Sequence, residues 1–215
     1  PLRAESTLQR MLELYKSGNQ VAPLEPAFTS VMNAWANSNK DDAPAKVASI
    51  LGLMKEMSAT TNQLKITAIP YTVLIKAREQ AARQSKGYKK RECGDKALQV
   101  LRDMENDGVA CTAGTYNALI MALLETSPAD AVFYFLELEE SYRNGDIELD
   151  TRTFNCGLNA ITALNKPDAA EKSLSVLQRM FEYSHNDRLV DPDETTFNII
   201  LKVLSRSPSQ DAAEK

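Results

Sequence analysis

Thr115-Tyr116-Asn117-Ala118-Leu119-Ile120 returns downstream as Thr153-Phe154-Asn155-Cys156-Gly157-Leu158 and again as Thr196-Phe197-Asn198-Ile199-Ile200-Leu201. Two upstream copies, Ala27-Phe28-Thr29-Ser30-Val31-Met32 and Pro70-Tyr71-Thr72-Val73-Leu74-Ile75, keep the aromatic and the apolar pair but carry threonine in place of asparagine. The aromatics of the five copies are 43, 45, 38 and 43 residues apart. A period of that size marks stacked supersecondary units rather than one globular core.

Each copy opens an amphipathic helix. Tyr116, Leu119, Ile120 and Leu123 stand at i, i+3, i+4 and i+7, as do Phe197, Ile200, Leu201 and Leu204, and Phe28, Val31, Met32 and Trp35. That spacing lays one apolar stripe along a helix. The second copy ends on Arg78 where the others have Trp35, Leu123, Ile161 and Leu204, and the fourth has Gly157 in place of a bulky residue. Those two helices are therefore expected to pack less well.

Between these helices runs a second pattern: a small residue, apolar residues one and four positions on, and methionine or leucine at seven. It reads Ala97, Leu98, Leu101, Met104 and Ala131, Val132, Phe135, Leu138, with copies from Ala4 to Met11, Val47 to Met54 and Ser173 to Met180. A first and a second helix make a hairpin that cannot bury its apolar faces alone, so hairpins must stack. Pro44, Pro128 and Pro167 separate first from second helices, Pro23, Pro70 and Pro192 precede or begin first helices, and Gly18, Gly108 and Gly145 follow second helices, where a left-handed cap is wanted. The fold read from these marks is all-α, one helical-repeat array over 1–215. Its units are 1–22 (a second helix only), 23–66, 67–111, 112–149, 150–192 and 193–215, the last cut short where a further second helix should start near Asp211. The chain thus reads as a piece of a longer array.

Composition narrows the function. With 43% hydrophobic and 25% charged residues the chain is that of an ordinary folded domain, and its longest apolar runs, such as Val132 to Leu136, are too short to cross a membrane. Cys93, Cys111 and Cys156 form neither a disulfide framework nor a zinc set, which fits a reducing intracellular compartment. His185, the one histidine, sits in the polar stretch Ser184 to Arg188, far from any cysteine in sequence, and no glycine-rich phosphate loop is present. Asp41-Asp42 and Asp191 to Glu194 fall where helix starts favour carboxylates. No catalytic constellation, cofactor, metal or small-molecule substrate is expected. The net charge of −4 and pI near 5.2 count against a nucleic-acid partner.

With its motifs laid out, the chain resembles the pentatricopeptide repeat family, whose unit opens with a Thr-Tyr-Asn-x-Leu-Ile type sequence and carries Ala-Leu and then Met in its second helix. The resemblance covers nearly the whole chain and is closest at Thr115 to Ile120 with Ala131 to Leu138. It implies a solenoid of helical hairpins wound as a right-handed α-α superhelix, single-stranded RNA as partner, and work in mitochondria or chloroplasts in RNA processing, stability or translation. The steps here are longer than the family's usual unit. Tetratricopeptide repeats, with a period of about 34, lack a match to their Trp-Leu-Gly-Tyr pattern here, and a protein-binding scaffold of that kind is the alternative.

Helical geometry gives the polar column a reading of its own. The residue after the aromatic points about 110° from the apolar stripe, so Thr29, Thr72, Asn117, Asn155 and Asn198 should line one edge of successive helices and face solvent there. Amides at such an edge can donate to and accept from an unstacked base. The plain alternative is that they satisfy first-turn backbone groups. The resemblance adds the residue before each following unit, pairing Thr29 with Thr67, Thr72 with Thr112, Asn117 with Asp150 and Asn155 with Asp193, and implies uracil for the two Asn/Asp pairs. Phosphate contacts must come from the basic run Lys76, Arg78, Arg83, Lys86, Lys89, Lys90 and Arg91, above all its last five members, unless that run is only a solvated extension.

Overall fold

The computed structural model describes residues 1–18, 22–61, 64–185 and 188–206. Ten α-helices account for most of them: α1 (Leu2–Lys16), α2 (Glu25–Ala36), α3 (Ala43–Thr60), α4 (Ala68–Gln84), α5 (Tyr88–Asn106), α6 (Ala113–Leu124), α7 (Pro128–Arg143), α8 (Thr151–Ala163), α9 (Ala169–Ser184) and α10 (Glu194–Leu204). A single 3-10 turn spans Arg188–Val190, and among the described residues there is no strand. Even-numbered helices carry the first pattern and odd-numbered helices the second, so the all-α reading holds helix by helix. The further second helix expected near Asp211 lies outside the described residues.

The helices gather into two compact units, Pro1–Thr126 and Ser127–Lys215. In the first, α2 packs on α1, α3 and α4, and α4 packs on α3, α5 and α6. In the second, α8 packs on α7, α9 and α10, and α9 also meets α10. Within each unit, then, first helices neighbour first helices and the second helices flank them, as in a helical solenoid.

The turn glycines act as the sequence requires. Gly108 and Gly145 have φ of +69° and +80°. Val109 N–H and Asp146 N–H then reach back to the carbonyls of Met104 and Ser141, closing the Schellman turns that end α5 and α7.

Stripe residues fill the core: Phe28, Met32, Trp35, Tyr71, Ile75, Leu119, Ile120, Leu123, Phe154 and Leu158 are all fully buried. Two expectations about packing need correcting. Gly157 does not loosen α8. A Cβ built there would lie 2.4 Å from the ring of Phe135 on α7, so the missing side chain is what admits that ring. The ring then stacks edge-on against Phe154 at 5.9 Å. On α10 only Ile200 of the expected stripe is buried, while Phe197, Leu201 and Leu204 are exposed. In α8 the matching Phe154 meets Tyr183 of the following helix at 5.8 Å, and among the described residues no helix follows α10.

A fully buried carboxylate ties α7 to α9. Glu139 accepts from Arg179 at 2.5 and 3.0 Å and from the Tyr183 hydroxyl at 3.1 Å. Every partner of this charge is a hydrogen-bond donor, which is the condition for burying it without a large desolvation penalty.

Candidate nucleic-acid interface

The four residues paired with the polar column turn out to be helix caps. Thr67, Thr112, Asp150 and Asp193 are the N-caps of α4, α6, α8 and α10, each accepting from a first-turn backbone N–H through its side chain. Thr115 and Thr196 answer from the third position of their helices, bonding back to the cap backbone N–H to complete capping boxes. This is the local reason the motif begins with threonine.

Those motif threonines also hold one hairpin to the next. Thr72 Oγ1 lies 3.2 Å from Thr115 Oγ1, which lies 3.1 Å from Thr112 Oγ1, so column residue and paired cap are joined through one hydroxyl. In the second unit the link is closer. The Asn155 amide N–H donates to Asp193 Oδ1 at 3.1 Å, and its carbonyl oxygen accepts from the Thr196 hydroxyl at 2.8 Å. At the first junction Glu25, unremarked in the sequence, takes the column's place by accepting from Thr67 N–H and Oγ1 at 3.1 and 2.6 Å. Thr29 instead donates to its own helix at Glu25 O, 3.0 Å away. A glutamate one position inside the helix start was the available signal for Glu25.

Exposure departs from the expected open wall. Asn117 and Asn155 are only 5% and 7% exposed, Thr29 is 9% exposed and Thr72 is half-buried. Of the column only Asn198 is exposed, whereas the caps Thr112, Asp150 and Asp193 are exposed and Thr67 is half-buried. For Thr29, Thr72 and Asn155 the physical cause is that first helices within a unit pack side by side, so a residue 110° from the stripe meets the next first helix before it meets water. Within each unit the outward groups at this edge are therefore the caps, with the column residue behind the cap it is bonded to.

Asp193 is ionised there. The Thr196 backbone N–H first, with the Asn155 and Thr196 side chains, holds its carboxyl below the usual carboxylate range against the opposing effect of desolvation. It offers acceptor oxygens only.

The expected phosphate contacts separate from this edge. Thr72 and Gln84 stand at opposite ends of α4, twelve residues apart, or roughly 18 Å along the helix. Arg83 is paired with Glu79 and Lys90 with Glu125, both at 2.7 Å. Lys86, Lys89 and Arg91 are exposed, and the first two line a cleft beside Arg78. Lys76 is exposed on α4.

Other candidates have structural places. Cys156 is buried in the core, His185 caps α9 with Nδ1 2.6 Å from Phe181 O, and Trp35 is buried with Lys40 and Lys46 each 5.4 Å from its ring centroid. Among the described residues no group of His, Cys, Asp and Glu could hold a metal ion, and no helix is long and apolar enough to cross a membrane. No family model matches the chain, and no curated protein matches it.

Proposed function

We propose that this chain is a pentatricopeptide-type array that takes a single RNA strand along the edge where its first helices begin, about one base per hairpin, and so positions or protects a transcript in a mitochondrion or chloroplast. The observation that carries the reading is the Asn155 contact with Asp193 at 3.1 Å. Two side chains from successive hairpins are held together before any ligand arrives, which lowers the ordering cost of binding. The chemical unit is the pair: an ionised carboxylate in front accepts the ring N–H of uracil, and an amide behind it donates toward a uracil carbonyl. The array carries recognition, and any chemistry done on the transcript belongs to other components.

Binding of a short U-rich strand and of a scrambled oligomer, followed by fluorescence anisotropy, tests this. Asp150→Ser and Asp193→Ser retain a capping oxygen while removing the carboxylate. Together they should weaken binding and erase the U preference, each site contributing about 1–3 kcal/mol, the scale of a good base contact. Equal affinity for the two oligomers, or an unchanged affinity in the double variant, sinks the reading. A protein-binding scaffold is the second reading. It is favoured by Phe133 and Leu136 on α7 and by Leu174 and Phe181 on α9, all at least 44% exposed on second helices of one unit.

A further inference from the structure

The cleft beside Arg78 is a site in its own right. It has a volume of about 640 Å³ and lies between the C-terminal half of α4 and the first turns of α5, with the start of α3 on its third side. Four cations line it, Arg78, Lys86, Lys89 and Lys96, against two carboxylates, Asp41 and Glu92. Glu92 is already held by Lys96 at 2.6 Å, while Lys86 and Lys89 have no ion-pair partner among the described residues.

Arg78 sets the character of this cleft. It takes the stripe position that Trp35, Leu123 and Ile161 fill with buried apolar side chains in other first helices. Its Nε is buried and has no hydrogen-bond partner among the described residues, and desolvation lowers the pKa of its guanidinium. The thiol of Cys93 lends no counter-charge, because burial pushes its pKa up and keeps it neutral. Arg78 lines the cleft and is only half-buried, so an anion entering there offsets the desolvation of its charge. Gly87, at φ +59°, starts α5 with no side-chain cap, so among the described residues the first N–H groups of that helix gain no hydrogen bond from a capping side chain.

The geometry points to a phosphate-binding cleft, with Arg78 as the planar fork and Lys86, Lys89 and Lys96 as surrounding point charges, that takes a phosphate group either as the free ion or on a nucleotide monoester. Planar guanidinium beside mobile ammonium groups is the donor set that phosphate oxygens favour. The cleft does not depend on base reading: its fork Arg78 is already six residues, roughly 9 Å, along α4 from Thr72, and its lysines lie further on.

Calorimetric titration of the whole chain with inorganic phosphate, against chloride at matched ionic strength, tests the proposal. The result expected is saturable phosphate binding with a rise in melting temperature that chloride does not give. Lys86→Gln with Lys89→Gln, changes at two exposed and unpaired side chains, should weaken that binding about tenfold. Arg78→Met should abolish it and, by removing an unmet buried N–H, leave the melting temperature without phosphate unchanged or higher. Uridine 5′-monophosphate compared with uridine separates the sources: binding of the monophosphate alone places a nucleotide in the cleft, and binding of inorganic phosphate without it assigns the free ion. A response to inorganic phosphate and to uridine 5′-monophosphate alike no different from that to chloride, or binding as tight in the Lys86/Lys89 variant as in the native chain, overturns the proposal. Because the titrant is phosphate itself, a failure of U-rich RNA to bind leaves this result standing.

Discussion

Asn155 joins two hairpins with both ends of its amide, donating to Asp193 and accepting from Thr196. Its neighbour in the column, Asn198, is exposed in the same first-turn position of α10. Asn155→Ala removes both contacts from a nearly closed site and should lower stability by about 1–2 kcal/mol, whereas Asn198→Ala should stay within about 0.5 kcal/mol. Urea denaturation monitored by circular dichroism checks the difference, and equal losses at the two positions contradict the inter-hairpin role. The asparagine column was visible as a repeat. The Asn155 partner Thr196 was visible too, but only as part of the same motif, because a bond between residues 41 apart leaves no local mark in sequence.

At the scale of helices, one glycine decides how closely α7 and α8 approach. Adding a methyl group to a helical glycine normally stabilises by about 1 kcal/mol. At Gly157 that methyl group would lie 2.4 Å from the Phe135 ring, and overpacking of this kind costs about 1–3 kcal/mol. Gly157→Ala is therefore expected to be net destabilising, while Gly52→Ala, with nothing within 4 Å of the added carbon, should stabilise. Chemical denaturation of both variants gives the two signs, and a stabilising Gly157→Ala would show that the ring can move aside. Sequence periodicity flagged Gly157 as a gap in a stripe. Only the position of Phe135 shows that the gap is filled from outside the helix.

Across the whole chain, pH acts through groups that lie on different helices. Lys55 first and then Tyr71 hold the Asp107 carboxyl below its ordinary range, and the Thr196 backbone does the same for Asp193. A carboxyl with a depressed folded pKa contributes stability above its unfolded value, about 3.9, and loses it as pH falls through the folded value. Tyr71 has the opposite sign. Burial, then its bond to Asp107, raises the phenol pKa, so its contribution is complete below the unfolded value near 10 and is lost as pH rises above it. The melting temperature should be level through neutral pH, decline below about pH 4 and decline again above about pH 10. Asp107→Asn should shallow both limbs, since it removes the acidic partner of Lys55 and Tyr71. Limbs as steep as those of the native chain would show that other groups control them.

Sequence alone determined the helices and the glycine turns that end α5 and α7, because each of these follows from spacing within about ten residues: a 3.6-residue stripe, a proline at a helix start, a glycine beyond a helix end. The exposure of the polar column was beyond its reach. Angular position on one helix says how far a side chain points from the core, but the neighbouring first helix decides whether it meets water or another side chain. Packing placed Asn155 behind the cap Asp193, seated a phenylalanine in the space left by Gly157, and left the Arg78 guanidinium with an unmet N–H beside a basic cleft, since each of those outcomes depends on residues brought together from separate helices.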